Sequence, residues 1–400
     1  MSITAEDVLQ LSRSAVEAVQ AAVIFTQSTR NLASTLGVLG PVIGVASVTV
    51  KLSLSNVDSP ELAFMKEQFQ IVRNRLDVLS GQISEVLREI ERSTINSQYF
   101  PIEENLKNQF RKYMGILNAE PAFRHKEKEE FLKHFDATKG DQNLHTLYDG
   151  VMGNTAIFAK PILDTAMDCN QRNRRLMESL CARLKYLFCI GLIALLGHAG
   201  ITGNDVTALV SEWNQKQAEI EAKMKSMIDR CISEFVEQAK IDVKRMVEEK
   251  GARSNKETSR YILEALANKY DWVTWSVRVY DGISGFSNHC VSGRKYFHYF
   301  RLNNVNIVVS YSTSPQPVDV PRIRQLMNER LDWQYAFTST LTFGLNKARQ
   351  IADYFKDSMD GCVVHVVTCG SNLYYNCTFP DECHFWMGDC YGVTLCIHRE

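Results

Sequence analysis

The sequence predicts a mainly α-helical protein, in which an elongated antiparallel helical bundle is followed by a small α+β domain. Along 62–90, apolar residues recur at alternating steps of three and four, which is the heptad pattern of a long packed helix. Helical spacing continues to about Gly251, and beyond 257 the period changes to two, which is typical of strands. We therefore predict two domains, 1–251 and 257–400, and the chain is long enough for both.

Composition indicates a folded protein with no affinity for nucleic acid. Hydrophobic residues make up 45% of the 400 residues and charged residues 23%. The net charge is −1, and neither predicted domain is basic. Because nucleic acids are bound through clusters of Lys and Arg, we predict no nucleic-acid partner. The N-terminal residues lack the pattern of a secretory signal, so a cytoplasmic protein is the default expectation. Secretion by a non-classical route and membrane association stay open as alternatives.

A stretch without charge, 31–50, precedes the heptad pattern. Its glycines and Pro41 predict a bend near Gly40 between two short apolar arms, because glycine and proline disfavour a continuous helix. We call 32–50 the apolar hairpin. It is either a buried part of the core or a membrane-inserting segment, since a stretch of this length can span a bilayer. The candidate membrane-contacting residues are Leu32, Leu36, Val38, Leu39, Pro41, Val42, Ile43 and Val45.

The heptad pattern follows residues that favour the start of a helix. Ser59 can cap a helix, and Pro60 occupies the first helical position, where proline is favoured. An apolar stripe along a long helix needs partners, so it predicts packing against other helices or against a second copy of the chain. We call this stripe the heptad seam. Its residues are Leu62, Met65, Phe69, Val72, Leu76, Leu79, Ile83, Val86 and Ile90.

Further helices are predicted across the rest of the first domain. Tyr99 and Pro101 mark a predicted break, and helices are then predicted over 102–117, 122–135 and 144–152.

The helix predicted over 176–196 is the most apolar of the chain. Its uncharged run of twelve residues, YLFCIGLIALLG, is too short to span a bilayer, which favours a helix buried in the bundle. Gly197 and Gly200 are predicted to end this helix. Asp205 is predicted to cap a further helix that continues to about Lys250.

The second domain combines short helices with strands. Helices are predicted over 261–269, 322–329 and 338–355, and strands over 272–280, 296–302, 305–312, 361–368 and 392–398. The strand residues include many aromatic side chains. Those that are exposed are a hypothesised contact surface for a target or a partner protein.

Six cysteines lie in the last part of the chain: Cys362, Cys369, Cys377, Cys383, Cys390 and Cys396. They contain no C-x-x-C pair, so the spacing does not favour a zinc site, and we predict no metal. Disulfides stay open, because six cysteines allow fifteen pairings. We favour buried thiols, since a cysteine without a partner packs as a small hydrophobic residue.

Motifs of catalysis are absent from the sequence. There is no G-x-S-x-G, no P-loop, no H-E-x-x-H and no G-x-G-x-x-G after a strand. Pairs drawn from His289, Cys290, His298, Cys362 and His365 are expected by chance in a chain with eleven cysteines and nine histidines. We therefore predict that the protein is not an enzyme, with no catalytic residue and no cofactor.

Three segments resemble a known family: NQFRKYM at 108–114, LHTLYDGVMG at 144–153 and CARLKYLFCIGLIAL at 181–195. They are similar to the rapunzel proteins of bony fish and the related cephalotoxin-like proteins, and the resemblance covers roughly 35–231. It implies a helical protein of toxin-related ancestry, linked in fish to growth and differentiation, and it carries over no catalytic residue. A helix predicted over about 3–35 and the helix with the heptad pattern are joined by the apolar hairpin. This layout is also similar to that of the α-helical pore-forming toxins, such as the cytolysin A group.

From these observations we expect a non-enzymatic protein that associates with lipid bilayers or perturbs them. The apolar hairpin would enter the bilayer, the bundle would oligomerise along the heptad seam, and the second domain would bind a target. The alternative is a cytosolic interaction or signalling scaffold. In that case the hairpin belongs to the core, and the heptad seam is an intramolecular or dimer contact.

Overall fold

The structure is a computed structural model of the chain. It describes the single positions 63, 66, 67, 70 and 74, and the ranges 96–154, 160–169, 171–249, 253–285, 288–330, 347–368, 372–390 and 393–400. The chain divides into two compact units, Met1–Glu234 and Phe235–Glu400. The mainly helical class predicted from the sequence is confirmed, and the strands lie in the C-terminal unit.

Six helices form the described part of the N-terminal unit. They are α1 (Asn96–Asn118), α2 (Arg124–Ala137), α3 (Gln142–Met152), α4 (Ile162–Cys169), α5 (Arg174–Thr202) and α6 (Val206–Ser233). α5 is the central helix of this unit. It packs mainly against α1 and α6 and also contacts α2, α3 and α4. Of these helices, α4 was not predicted from the sequence.

α5 runs further than the sequence predicts. Asn173 caps its start, where the side-chain oxygen accepts a hydrogen bond from the backbone N–H of Leu176 at 3.3 Å. Its end is Gly203, which adopts the left-handed conformation with φ of 77°. The prediction that Gly197 and Gly200 end the helix is wrong. Gly197 serves packing instead, because a Cβ atom there would lie 2.3 Å from Cε2 of Tyr113.

Pro101 lies inside α1, so the predicted break at this proline is also wrong. A proline inside a helix costs about 3 kcal/mol, because it removes one backbone hydrogen bond and crowds the preceding turn. Tyr99, Ile102 and Leu106 around it are buried in the core of the unit. Burial of one such side chain contributes about 1.5–3 kcal/mol, so together they offset the cost of the proline.

The helix predicted to continue from Asp205 to about Lys250 is interrupted at Glu234. The carboxylate of Glu234 accepts hydrogen bonds from Nε of Arg172 at 2.7 Å and Nε of Arg230 at 3.1 Å, both in the N-terminal unit. The next helix, α7 (Phe235–Glu248), buries its apolar side chains in the C-terminal unit. The two units therefore meet in sequence at Glu234 and Phe235, before the predicted end of the first domain at 251.

The C-terminal unit contains two four-stranded antiparallel sheets. The other α-helices among its described residues are α8 (Asn255–Lys269), α9 (Val320–Arg330) and α10 (Lys347–Ser358). Its strands are β1 (Thr274–Asp281), β2 (His289–Ser292), β3 (Tyr296–Leu302), β4 (Val305–Ser312), β5 (Cys362–Val367), β6 (Tyr374–Cys377), β7 (His384–Cys390) and β8 (Val393–Arg399). The strand orders are β3-β4-β1-β6 in the first sheet and β2-β5-β8-β7 in the second.

The two sheets lie face to face between two helical layers. α7 and α8 pack on the first sheet, and α9 and α10 pack on the second. Along β1, alternate side chains point to opposite faces. Trp275 and Val277 pack with α8, whereas Ser276 and Arg278 contact residues of the second sheet. The C-terminal unit is therefore a four-layer arrangement of helices, sheet, sheet and helices.

The space between the sheets contains a buried network of polar side chains. The guanidinium group of Arg278 is fully buried, and it donates to Sγ of Cys396 at 3.0 Å and to Oγ of Ser310 at 2.8 Å. Nε2 of His398 lies 2.7 Å from the same Ser310 oxygen. His365 is buried in this layer as well, with its Nε2 atom unpaired. Hydrogen bonds thus join one sheet to the other, and a small apolar cluster that includes Tyr280, Val308 and Val367 lies between the same two sheets.

Acidification is expected to weaken the C-terminal unit. Burial, followed by the nearby Arg278 charge, holds the pKa of His365 well below 6.5. The pKa of His398 falls from 6.5 to about 3, chiefly through burial, although its bond to the Arg399 carbonyl opposes this. The unfolded chain thus binds more protons than the folded one between pH 6.5 and about 3. The free energy of unfolding therefore has its full value above pH 6.5, and it decreases as the pH falls from 6.5 toward about 3.

Hydrogen exchange of the full chain at pH 7.5 and pH 5.5, corrected for intrinsic rates, tests this prediction. Amides of β5 and β8 are expected to lose protection at the lower pH. The substitution His398→Gln keeps a hydrogen-bond donor and is expected to reduce that loss. His125, whose side chain is 87% exposed, provides the control, and His125→Gln is expected to leave the loss unchanged. Equal protection at both pH values in the native chain would contradict the prediction.

Candidate functional site

α5 is the described feature most relevant to a membrane. Among the residues that the structure describes, it is the one helix long and apolar enough to cross a bilayer by length and composition. Its apolar 18-residue span is also entirely buried by its neighbours, as in the core helix of a soluble bundle, whereas Arg175 and Thr202 near its ends are exposed. The prediction that this helix lies buried in the bundle agrees with its position.

The core around α5 contains a buried ion pair. Nη2 of Arg183 donates to both carboxylate oxygens of Glu103 on α1, at 2.6 and 2.5 Å. Arg183 and Glu103 are both buried. Lys107 lies on the more exposed side of the same carboxylate, at 2.7 Å. The attraction between the two buried charges is needed to offset the loss of their hydration.

Lys185 is a second buried cation on α5, two positions further along the helix. Burial lowers its pKa, although Cys181, Glu221 and Cys189 act in the opposite direction. The uncharged run of α5 begins directly after this residue. The charged groups therefore mark one end of the apolar part of the helix.

The apolar hairpin and the heptad seam lie outside the described residues. This applies to all of their candidate residues, so the membrane and packing roles assigned to them stay predictions. Five positions between seam residues are described and helical, and they are Ala63, Lys66, Glu67, Gln70 and Asn74. Nε2 of Gln70 donates to Oδ1 of Asn74 at 2.9 Å, and both side chains are exposed.

The cysteines with described side chains form no disulfide with one another. Cys362 packs in the apolar cluster beneath α9 and α10, whereas Cys396 faces the other sheet. The residue Cys369 and the side chain of Cys390 lie outside the described part. Within that part, no group of three or more His, Cys, Asp and Glu residues is arranged to hold a metal ion.

One cysteine–histidine pair does form, and the sequence did not single it out. Sγ of Cys377 on β6 lies 3.7 Å from Nε2 of His384 at the start of β7. Neither β6 nor β7 was predicted, because both are edge strands and β6 is only four residues long. The cysteines and histidines that the sequence analysis considered as catalytic pairs lie in different layers of the C-terminal unit. Cys290 and Cys362 pack toward helices, whereas His365 lies between the sheets.

Comparison with known proteins agrees with the helical architecture. The family model of the cephalotoxin-like middle helical domain matches residues 56–252. The chain is also 41% identical to Protein rapunzel of Danio rerio over 200 residues, which are 50% of this chain and 88% of that relative. The chain belongs to the rapunzel and cephalotoxin-like family. The family resemblance predicted from three segments is thereby confirmed. No solved structure matches the chain significantly.

Within this family member, the buried ion pair offers a test of the core. Glu103→Gln would leave the Arg183 charge buried without its partner, and we expect the free energy of unfolding to fall by about 3 kcal/mol. A double variant, Glu103→Gln with Arg183→Met, removes both charges and is expected to recover most of that loss. Urea denaturation followed by far-UV circular dichroism measures both effects. A double variant less stable than the single one would contradict this account.

Proposed function

We propose that this protein is a non-enzymatic, bilayer-associating member of the rapunzel and cephalotoxin-like family. The apolar hairpin contacts the membrane, the helical unit carries and shields it, and the C-terminal unit binds a target or partner protein. The observation that carries the proposal is the absence of charge from 31–50, directly before the family-matched region that begins at residue 56.

The energetics of insertion favour an uncharged segment. A charged side chain near the middle of a bilayer costs about 2.5–3.5 kcal/mol on insertion scales. The hairpin has no such residue, so it is suited both to a protein core and to a lipid environment. Its glycines and Pro41 favour two short arms that enter and leave on the same side, rather than one spanning helix.

α5 gives independent support from the described structure. The part of α5 that follows Lys185 is apolar on all sides, and a helix segment of this kind can be buried against protein or in lipid. The matched domain is cephalotoxin-like, which supports a toxin-related ancestry. Core packing of a soluble protein accounts for the same helix, so α5 supports the proposal without carrying it.

The partner-binding role of the C-terminal unit relies on exposed aromatic side chains. Phe300 on β3 is 41% exposed, and Tyr374 on β6 is 37% exposed. The ring of Phe300 stacks on His298 with centroids 4.0 Å apart, which holds it in place at the surface. Aromatic residues that are fixed and exposed are frequent at protein interfaces.

A cytosolic interaction or signalling scaffold is the competing function. It is favoured by the complete burial of α5 and by the charged surface of α2, where Lys126, Lys128 and Glu129 project into solvent or lie partly exposed. On this account the hairpin is part of the core, and the heptad seam is a contact within the bundle or between two copies of the chain.

Dye release from liposomes separates the two functions. We expect the native chain to release a trapped dye and Val42→Asp to abolish release, because the new charge lies in the middle of the hairpin. Asn31→Asp introduces the same charge at the edge of the uncharged stretch, and it is expected to retain release. Circular dichroism and size-exclusion chromatography establish that each variant keeps the soluble fold.

The outcomes have distinct meanings. Absence of release from both zwitterionic and anionic vesicles would favour the scaffold. Unfolding of the soluble protein by Val42→Asp would also favour it, because the hairpin would then be part of the core. Equal release by Val42→Asp and the native chain would exclude the hairpin as the membrane contact.

A further inference from the structure

The pair formed by Cys377 and His384 lies at one edge of the C-terminal unit. β6 is the edge strand of the first sheet, and β7 is the edge strand of the second. The two strands are joined by a short connection that includes Pro380 and one turn of 3-10 helix, Asp381–Cys383. Both side chains are partly exposed. The thiol therefore lies at a boundary between the polar inter-sheet layer and solvent, where a small molecule can reach it.

The histidine is oriented to accept the thiol proton. Its Nδ1 atom lies 3.5 Å from the backbone oxygen of Pro380, which favours the tautomer with hydrogen on Nδ1. Nε2, which faces Sγ of Cys377 at 3.7 Å, is then the acceptor. A nucleophile, a base and a group that orients the base are the three parts of an activated thiol.

Aromatic stacking keeps the histidine at the sheet edge. The ring of Tyr375 stacks on Trp386 with centroids 4.1 Å apart and on His384 with centroids 5.7 Å apart. The Tyr375 hydroxyl lies close enough to the Cys377 sulfur to favour a negative charge there.

Electrostatics act in the same direction as the geometry. Burial opposes ionisation of Cys377, but the neighbouring His384 and Tyr375 outweigh it, and the pKa of the thiol lies below its usual value. The bond to Cys377 raises the pKa of His384 despite partial burial. By contrast, burial raises the pKa of Cys383, Cys290 and Cys362. Cys377 therefore differs from these other cysteines of the unit.

We propose that Cys377, activated by His384, is a nucleophilic thiol that undergoes exchange with small, uncharged disulfides. His384 takes the thiol proton, and the Cys377 thiolate attacks one sulfur of the disulfide. A new sulfur–sulfur bond forms to Cys377 while the original one breaks, and the departing thiolate takes the proton from His384. The small disulfide is the oxidant, and the product is a mixed disulfide on the protein. This inference does not depend on the bilayer-associating function.

The test uses the full chain and bis(2-hydroxyethyl) disulfide as the probe. Peptide mass spectrometry measures the rate of modification at each cysteine between pH 6 and pH 9. The partly exposed Cys169 of the other unit serves as the internal comparison. We expect Cys377 to react about tenfold faster than Cys169 at pH 7, because a larger fraction of it is thiolate. Its pH–rate midpoint is expected to lie below that of an ordinary thiol, about 8.5.

Two variants test whether His384 and Tyr375 cause the high reactivity of Cys377. His384→Gln removes the base but keeps a polar side chain, and it is expected to slow Cys377 about tenfold at pH 7 and raise its pH–rate midpoint. Tyr375→Phe keeps the stacked ring, so a smaller slowing is expected. If His384 acted only through packing, the substitution would change the exposure of the Cys377 thiol but would leave its pH–rate midpoint unchanged.

If a variant fails to fold, measurements on the native chain alone still test the proposal. A pH–rate midpoint at or above about 8.5 for Cys377 would overturn the proposal. So would a rate no greater than that of Cys169, or a midpoint that His384→Gln leaves unchanged. Rapid reaction of Cys377 with iodoacetamide but not with the disulfide would overturn the assigned class of reactant.

Discussion

Burial of α5 on all sides is the constraint on which the described N-terminal unit depends. Because the span 180–197 of this helix is buried continuously, each neighbouring helix has to present a largely apolar face to it. Close approach is possible where α5 has glycine: Leu144 packs over Gly191, and the Tyr113 ring packs over Gly197. Tyr113, Leu144 and Gly191 lie in the three segments that carry the family resemblance. In this chain the three segments thus meet around one helix.

The two units use polar residues in opposite ways. In the described N-terminal unit the core is mainly apolar, and the buried pair of Arg183 and Glu103 sets the level at which α1 and α5 meet. In the C-terminal unit the larger apolar clusters lie on the outer faces of the sheets, while the inner faces meet through the hydrogen bonds of Arg278, Ser310 and His398 and through a smaller apolar cluster. Helix packing therefore stabilises each sheet separately, and hydrogen bonds together with a few apolar contacts join the two sheets.

The local sequence pattern predicts the bounds of elements whose conformation depends mainly on their own residues. β3 and β4 begin and end where the alternation predicts, and Asn303 and Asn304 between them adopt positive φ. The pattern failed where tertiary contacts decide. Pro101 stays helical because the side chains around it are buried, and Gly197 stays helical because Tyr113 covers it. Cys377 and His384 were not paired for the same reason, since the pairing of two edge strands brings them together and β6 has only four residues in which to show a period.

The junction at Glu234 and Phe235 affects where the chain is best truncated for biochemical experiments. The family-matched region extends to residue 252 and so includes α7, whose Ala239, Val243 and Val247 are buried against C-terminal partners. A fragment cut at the end of the match would carry α7 without the surface that covers it. It would display a hydrophobic stripe prone to self-association, whereas a fragment ending at 234 would not. Homology and packing thus define different boundaries in this chain, and truncation for biochemistry is better guided by packing.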